Sequence, residues 1–133
     1  AVNQAGTGRR VFLGAPYTSA GKTGTAQAVA WGQNTKYNAR LQEEHKRDHS
    51  LFSAFAPLEE PRIAVAVIVE TAGFGAAAAG PIVRRVFDYW LMGQYPSEAD
   101  LAAVSKGQAT SPMGAPRKVE DVQILPTSAP PAP

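Results

Sequence analysis

Cysteine is absent from this chain of 133 residues, which excludes a disulfide framework and any thiolate-held metal and is compatible with an oxidising compartment such as the periplasm. No apolar run reaches the ~18 residues that suggest a membrane span. Charge of one sign is also scarce. The formal net charge is +2, and basic residues have acidic neighbours, as in Glu43-Glu44-His45-Lys46-Arg47-Asp48. No stacking aromatics sit among a basic run, so nucleic acid is not an expected partner. The chain lacks an initial Met and a signal-peptide pattern, so Ala1 reads as a cut end and the chain as a fragment or processed piece.

Aromatic residues are missing from the carboxyl-terminal part. The two Trp, four Tyr and five Phe all lie before Pro96. Beyond it come Pro, Ala, Ser, Thr, Gly and Gln, a composition with too little apolar surface to offset its ordering entropy. Residues 96–133 are therefore expected to be a disordered Pro/Ala-rich tail. That leaves residues 1–95 for one small domain.

Within those residues the pattern is antiparallel α+β. Ala1–Gly8 reads as the end of a helix, and Arg10–Leu13 as a short extended segment before the break at Gly14-Ala15-Pro16. Tyr17–Val29 is rich in Thr and Val and carries glycines that disfavour a helix, so it reads as a strand. Ala39–Arg47 suggests a short exposed helix. His49–Ala56 ("HSLFSAFA") and Arg62–Glu70 ("RIAVAVIVE") are two further strands joined by a turn at Pro57–Pro61, which favours an antiparallel pair. The second is apolar on both faces, so it is expected to be a central strand covered on both sides. A helix is expected over Ala77–Met92, with Pro81 near its first turn, Ile82, Val83, Val86, Phe87, Trp90 and Leu91 as the packed stripe, and Arg84, Arg85 and Asp88 pointing away. Gly93 is a natural stop. Little in the chain can supply a cover for the other face of that central strand.

The stretch Ser19–Gln27, "SAGKTGTAQ", carries the chemistry and permits three readings. A phosphate-binding loop needs Gly, four residues, then Gly-Lys-Ser/Thr. The position five before Gly21 is Pro16, and a strand-like run follows where a helix should begin. A Ser-x-x-Lys nucleophile pair, Ser19 with Lys22, needs both residues one helical turn apart; on a strand they point to opposite faces. The third reading takes Lys22-Thr23-Gly24-Thr25 as a carboxylate-binding edge strand, in which an ammonium and two hydroxyls flank a glycine that lets another backbone come close. Strand parity sets Lys22 against Thr23 and Thr25.

The third reading resembles the penicillin-binding transpeptidases, which share a fold with the serine β-lactamases. Their third motif is Lys-Ser/Thr-Gly, often extended to Lys-Thr-Gly-Thr-Ala. The likeness continues through "YNARLQEEHKRDH" (Tyr37–His49), "RDHSLFSAFAP" (Arg47–Pro57), "PRIAVAVIVE" (Pro61–Glu70), the turn at Gly73–Gly75 and "PIVRRVFDYWLMG" (Pro81–Gly93). It covers residues 1–95 and is similar to the class B members of cell elongation. The fold implied is the C-terminal half of a β-lactamase/transpeptidase-like domain: antiparallel strands and a closing helix. The resemblance implies that Lys22 polarises the catalytic cleft and that Thr23 and Thr25 hold the substrate carboxylate. The Thr25 backbone N–H would supply half of an oxyanion hole. Gly24 would make room for a D-Ala-D-Ala stem peptide or a β-lactam, and Gln27 would close the substrate-binding stretch. It implies no cofactor or metal. It implies a place at the bacterial inner membrane, facing the periplasm, and an elongation glycosyltransferase as partner.

The chain departs from that family's pattern in one respect. It contains no Ser-x-Asn second motif, and its single Ser-x-x-Lys is the strand pair rejected above. The nucleophile is expected in an upstream half of the same domain, and the isolated chain is expected to be inactive. Alternatives are a non-catalytic peptide- or partner-binding module, and a D,D-carboxypeptidase or β-lactamase that passes the acyl group to water. His45 and His49 at i, i+4 could share a metal on a helix, but His49 begins a strand. The Pro-rich end could alternatively be a PPII ligand.

Overall fold

A computed structural model of the chain describes residues 5–27, 48–70, 72, 75–106, 108 and 110–122. Three strands form one antiparallel sheet in the order β1 (Ala20–Ala26), β2 (His49–Ala56), β3 (Ile63–Val69). The period-two pattern sets the register. Ala20 lies opposite Phe55 and Ala26 opposite His49, while Ser50 lies opposite Val69 and Ala56 opposite Ile63. Ser50, Phe52, Ala54 and Ala56 of β2 are buried on one face. Val65, Val67 and Val69 continue that face on β3. β1 is shorter at both ends than the expected strand, and its residues after Gln27 lie outside the described ones, as do the expected helix over Ala39–Arg47 and His45.

The expectation that Arg62–Glu70 forms the central, doubly covered strand is overturned. β2 is central, because both β1 and β3 pair with it. On β3, Ala64, Ala66 and Ile68 are exposed, Ile68 by 65%. Its second face is apolar, yet no described residue covers it.

Helix α1 spans Gly75–Met92 and packs across β2 and β3. It begins before the expected start, so Pro81 sits in its second turn rather than its first. Ser50 of β2 accepts a hydrogen bond from the Ala79 backbone N–H at 3.1 Å, tying the start of the helix to the sheet. Gly93, at φ 61°, ends it in the left-handed conformation, with its N–H donating to Tyr89 O at 3.1 Å.

The face that α1 buries differs from the expected stripe. Val83 and Phe87 are in the core, but Ile82, Val86 and Trp90 are exposed, Trp90 by 64%. Arg84 and Asp88, expected to point away, are 6% and 8% exposed. The reason lies in residues 5–16, which form a series of turns rather than a helix end and an extended segment. These turns carry Val11 and Phe12 into the core, where Phe12 lies 6.1 Å from both Phe52 and Phe87. Burial of each such aromatic contributes about 1.5–3 kcal/mol. The turns cover the Arg84 side of α1, so that side is buried despite its charges.

The expected tail is structured as far as the description extends. β4 (Gln94–Tyr95) pairs antiparallel with β5 (Arg117–Lys118), and α2 (Glu98–Ser105) lies between them. Ser97 caps α2 by accepting from the Asp100 N–H at 3.1 Å. Asp100 is fully buried and holds Arg85 through bonds of 3.0 and 2.6 Å. Arg117 lies over the Tyr95 ring at 5.4 Å and donates to Pro96 O at 3.0 Å. A composition argument weighs apolar surface, and this appendage is held by ionic and polar contacts that such an argument does not register. Residues 123–133 lie outside the described ones.

Candidate functional site

β1 is an edge strand: β2 pairs with one side, and no described strand pairs with the other. A free strand edge offers a row of backbone donors and acceptors to an extended peptide. Its sequence arms that edge. Lys22, opposite Ser53, is exposed on the sheet face turned away from α1. That face is a shallow apolar trough of about 600 Å³, which Lys22 shares with Ala20, Ser53, Phe55, Ala64 and Ala66. The ammonium rests on its neighbour's backbone, donating to Thr23 O at 2.8 Å, and no described carboxylate pairs with it.

Thr23 lies opposite Phe52, on the α1 side of the sheet, and is half-buried; Thr25, opposite Ser50, is exposed, as is Gln27 just beyond the strand. The expected parity is therefore present: cation on one face, hydroxyls on the other, the backbone edge between them. Phosphate-loop geometry is not, since β1 continues as strand through Ala26. Ser19 is fully buried just before β1 while Lys22 is exposed, so the two do not form a nucleophile–base pair.

The glycines divide their work. A Cβ at Gly24 would lie 3.3 Å from the Leu51 Cβ, tight but accommodated by a small shift; at Gly21 it would lie 2.7 Å from Ser53 O and 2.8 Å from the Ala54 Cβ. Gly21 is thus the position where the β1–β2 pairing itself forbids a side chain. Sequence reasoning passed over it in favour of Gly24.

Three further features were missed. The Thr7 and Thr23 hydroxyl oxygens lie 3.1 Å apart. Beneath β1, Tyr17 donates to Asp88 at 2.6 Å, and Arg84 Nε meets both oxygens of Asp88 at 3.0 Å while its Nη1 reaches the carbonyls of Val11 and Leu13 at 3.1 Å. Burial, reinforced by the Asp88 carboxylate, holds the Tyr17 hydroxyl well above the usual phenol range, so it is neutral and serves as a donor. At the base of the strand Thr18 donates to Glu59 and accepts from the Leu58 N–H, joining β1 to the β2–β3 turn and holding the Glu59 carboxyl below its usual value. The i, i+4 spacing of Arg84 and Asp88 was a legible ion-pair signal; Thr7 had none. His49 opens β2, and no cluster of metal ligands occurs among the described residues.

The chain is similar to known proteins of one family. A family model described as "Penicillin binding protein transpeptidase domain" matches residues 1–88. Peptidoglycan D,D-transpeptidase MrdA of Haemophilus influenzae is 45% identical over 91 residues, covering 68% of this chain and 14% of that protein. The protein of the same name from Escherichia coli K12 is 40% identical over 106 residues, covering 80% of this chain and 16% of its own length. The chain thus spans a small part of the relatives it matches. Among solved structures, PBP2 of Pseudomonas aeruginosa in complex with WCK 5153 aligns at 41% identity and a TM-score of 0.53, over 68% of this chain and 17% of that one. PBP2 of Helicobacter pylori, solved with MreC, aligns at 30% identity and a TM-score of 0.50, over 66% and 14%.

Proposed function

The chain belongs to the penicillin-binding protein transpeptidase family, and from that premise we propose that it forms the substrate-gripping strand and closing helix of a peptidoglycan D,D-transpeptidase of cell elongation. A stem peptide ending in D-Ala-D-Ala, or a β-lactam, lies along the outer edge of β1. Thr23 and Thr25 hold its carboxylate, Gln27 borders the same stretch, and Lys22 sets the electrostatics of the cleft. A serine in the upstream half of the domain attacks the penultimate D-Ala carbonyl; the terminal D-Ala leaves, and the amine of a neighbouring peptide then displaces the serine. The Thr25 backbone N–H stabilises the oxyanion formed in each step.

The observation that carries this reading is the edge of β1 with which no described strand pairs, with Lys22 on one face and Thr23 and Thr25 on the other. The relatives, peptidoglycan D,D-transpeptidases by name, support a site of action in the cell envelope, which in this proposal is the periplasmic face of the inner membrane. No described helix is long and apolar enough to cross a membrane. The partner implied by the elongation role is a polymerising glycosyltransferase; the H. pylori relative was solved in complex with MreC.

Capture of fluorescent penicillin tests the proposal. The 133 residues alone should remain unlabelled, the complete domain should label on a serine outside this chain, and Lys22→Ala in the complete domain should label at least ~100-fold more slowly. Covalent labelling of the isolated chain, or a Lys22→Ala variant as fast as its parent, would overturn it. Peptide products formed with and without an acceptor amine distinguish a transpeptidase from a hydrolase.

A further inference from the structure

We propose that Thr7 is a positioning residue for carboxylate recognition: its hydroxyl oxygen lies 3.1 Å from Thr23 Oγ1, a contact in which either hydroxyl can donate, and when a carboxylate binds Thr7 takes the donor role and leaves the single Thr23 proton for the ligand. The inference rests on the reading of β1 as the carboxylate-binding strand. A threonine hydroxyl has one proton and two acceptor sites. With Thr7 donating, Thr23 satisfies an acceptor site internally and its O–H stays available to an incoming carboxylate. With no fixed neighbour, the Thr23 hydroxyl would exchange among water partners, and binding would have to order it.

Both hydroxyls are accessible, so the contact competes with water and holds only if Thr7 is fixed in place. The structure supplies that mount. Arg9 N–H donates to Gly6 O at 3.2 Å, closing a turn that contains Thr7, and Val11 N–H donates to Gly8 O at 3.1 Å, closing the turn that follows. Gly6, at φ 90°, makes the left-handed entry. Val11 and Phe12 anchor the turns in the core. From below, Arg84 clamps the carbonyls of Val11 and Leu13 and is itself held by Asp88. A contiguous path therefore runs from α1 through the turns to the hydroxyl at the strand edge.

The test is the second-order acylation rate of the complete domain with a carboxylate-bearing penicillin, separated into its binding and acylation steps. Thr7→Val, which keeps the shape and removes the hydroxyl, should lower the rate roughly three- to tenfold, through weaker binding. Thr7→Ser should restore it. In a Thr23→Val background, Thr7→Val should have no further effect, because the two act as one unit. A merely structural Thr7 would add its loss to that of Thr23→Val and lower the thermal midpoint. A slow Thr23→Val beside a Thr7→Val as fast as its parent, or additive losses, would overturn this proposal alone. A Thr23→Val variant as fast as its parent would remove the carboxylate reading and this proposal together.

Discussion

Replacing Asp88 with alanine withdraws three contacts at once: both Arg84 Nε contacts at 3.0 Å and the acceptor of the Tyr17 hydroxyl at 2.6 Å. The Arg84 and Asp88 side chains are 7% and 11% exposed, so water cannot readily replace the lost carboxylate. Arg84 keeps its bonds to the Val11 and Leu13 carbonyls, but its charge is left without a counter-ion. Removing one partner of a buried pair destabilises by about 3–5 kcal/mol, as much as emptying a core aromatic site such as Phe87→Ala, about 3–5 kcal/mol. The comparison that isolates the charge is the double variant Arg84→Met, Asp88→Leu. With both ions removed and similar volume retained, neither charge is buried alone, so it should be more stable than Asp88→Ala, although the Tyr17 hydroxyl and the Val11 and Leu13 carbonyls lose their partners and hold it below the parent. Urea unfolding of the complete domain measures both. An Asp88→Ala variant within about 1 kcal/mol of the parent, or a double variant as unstable as the single, would refute the view that an isolated guanidinium is what the fold cannot tolerate.

Gly21→Ala forces a methyl to within 2.7 Å of Ser53 O. It should open the β1–β2 pairing, destabilise by about 2 kcal/mol or more, and slow penicillin acylation; an acylation rate equal to the parent's would show that the pairing can yield. Asp100→Ala frees the charge of Arg85 and releases α2. Trypsin should then cut at Lys106 and Arg117 about tenfold faster, while acylation by penicillin is unchanged, since the appendage lies behind α1; unaltered cleavage would show that the ion pair is dispensable there.

The strands were legible because their signal is local. "HSLFSAFA" and "RIAVAVIVE" are short apolar runs bounded by turn residues, and β2 falls on the expected residues while β3 falls within its range. The strand character of Lys22–Thr25 was local too, and the parity of its side chains followed from strand alternation. What failed depends on what packs against what. The helical wheel of α1 offers two candidate stripes, one with Ile82, Val86 and Trp90 and one with Val83, Arg84, Phe87 and Asp88. The turns of residues 5–16 select the second, because Tyr17 and the Val11 and Leu13 carbonyls satisfy the polar atoms that a hydrophobicity pattern counts against burial. Composition likewise misjudged the described residues between 96 and 122, which are tied to α1 by Arg85–Asp100, a link across 15 positions that no windowed pattern contains. Edge or centre for β3 was undecidable from its own residues: apolar faces report what a strand can bury, not how many neighbours it has. The Thr7–Thr23 contact spans 16 positions and is legible only in three dimensions.

The slender groups along the sheet face that no described residue covers, Ala20, Ser53, Ala64 and Ala66, govern how near another slab of polypeptide can settle. Facing layers ordinarily stand about 8–10 Å apart because branched and aromatic groups interlock between them. Over this strip of methyls and a hydroxymethyl, between Phe55 and Ile68, the gap narrows locally, so a layer settling there brings its main chain nearer, and Ala66→Leu would hold that layer off.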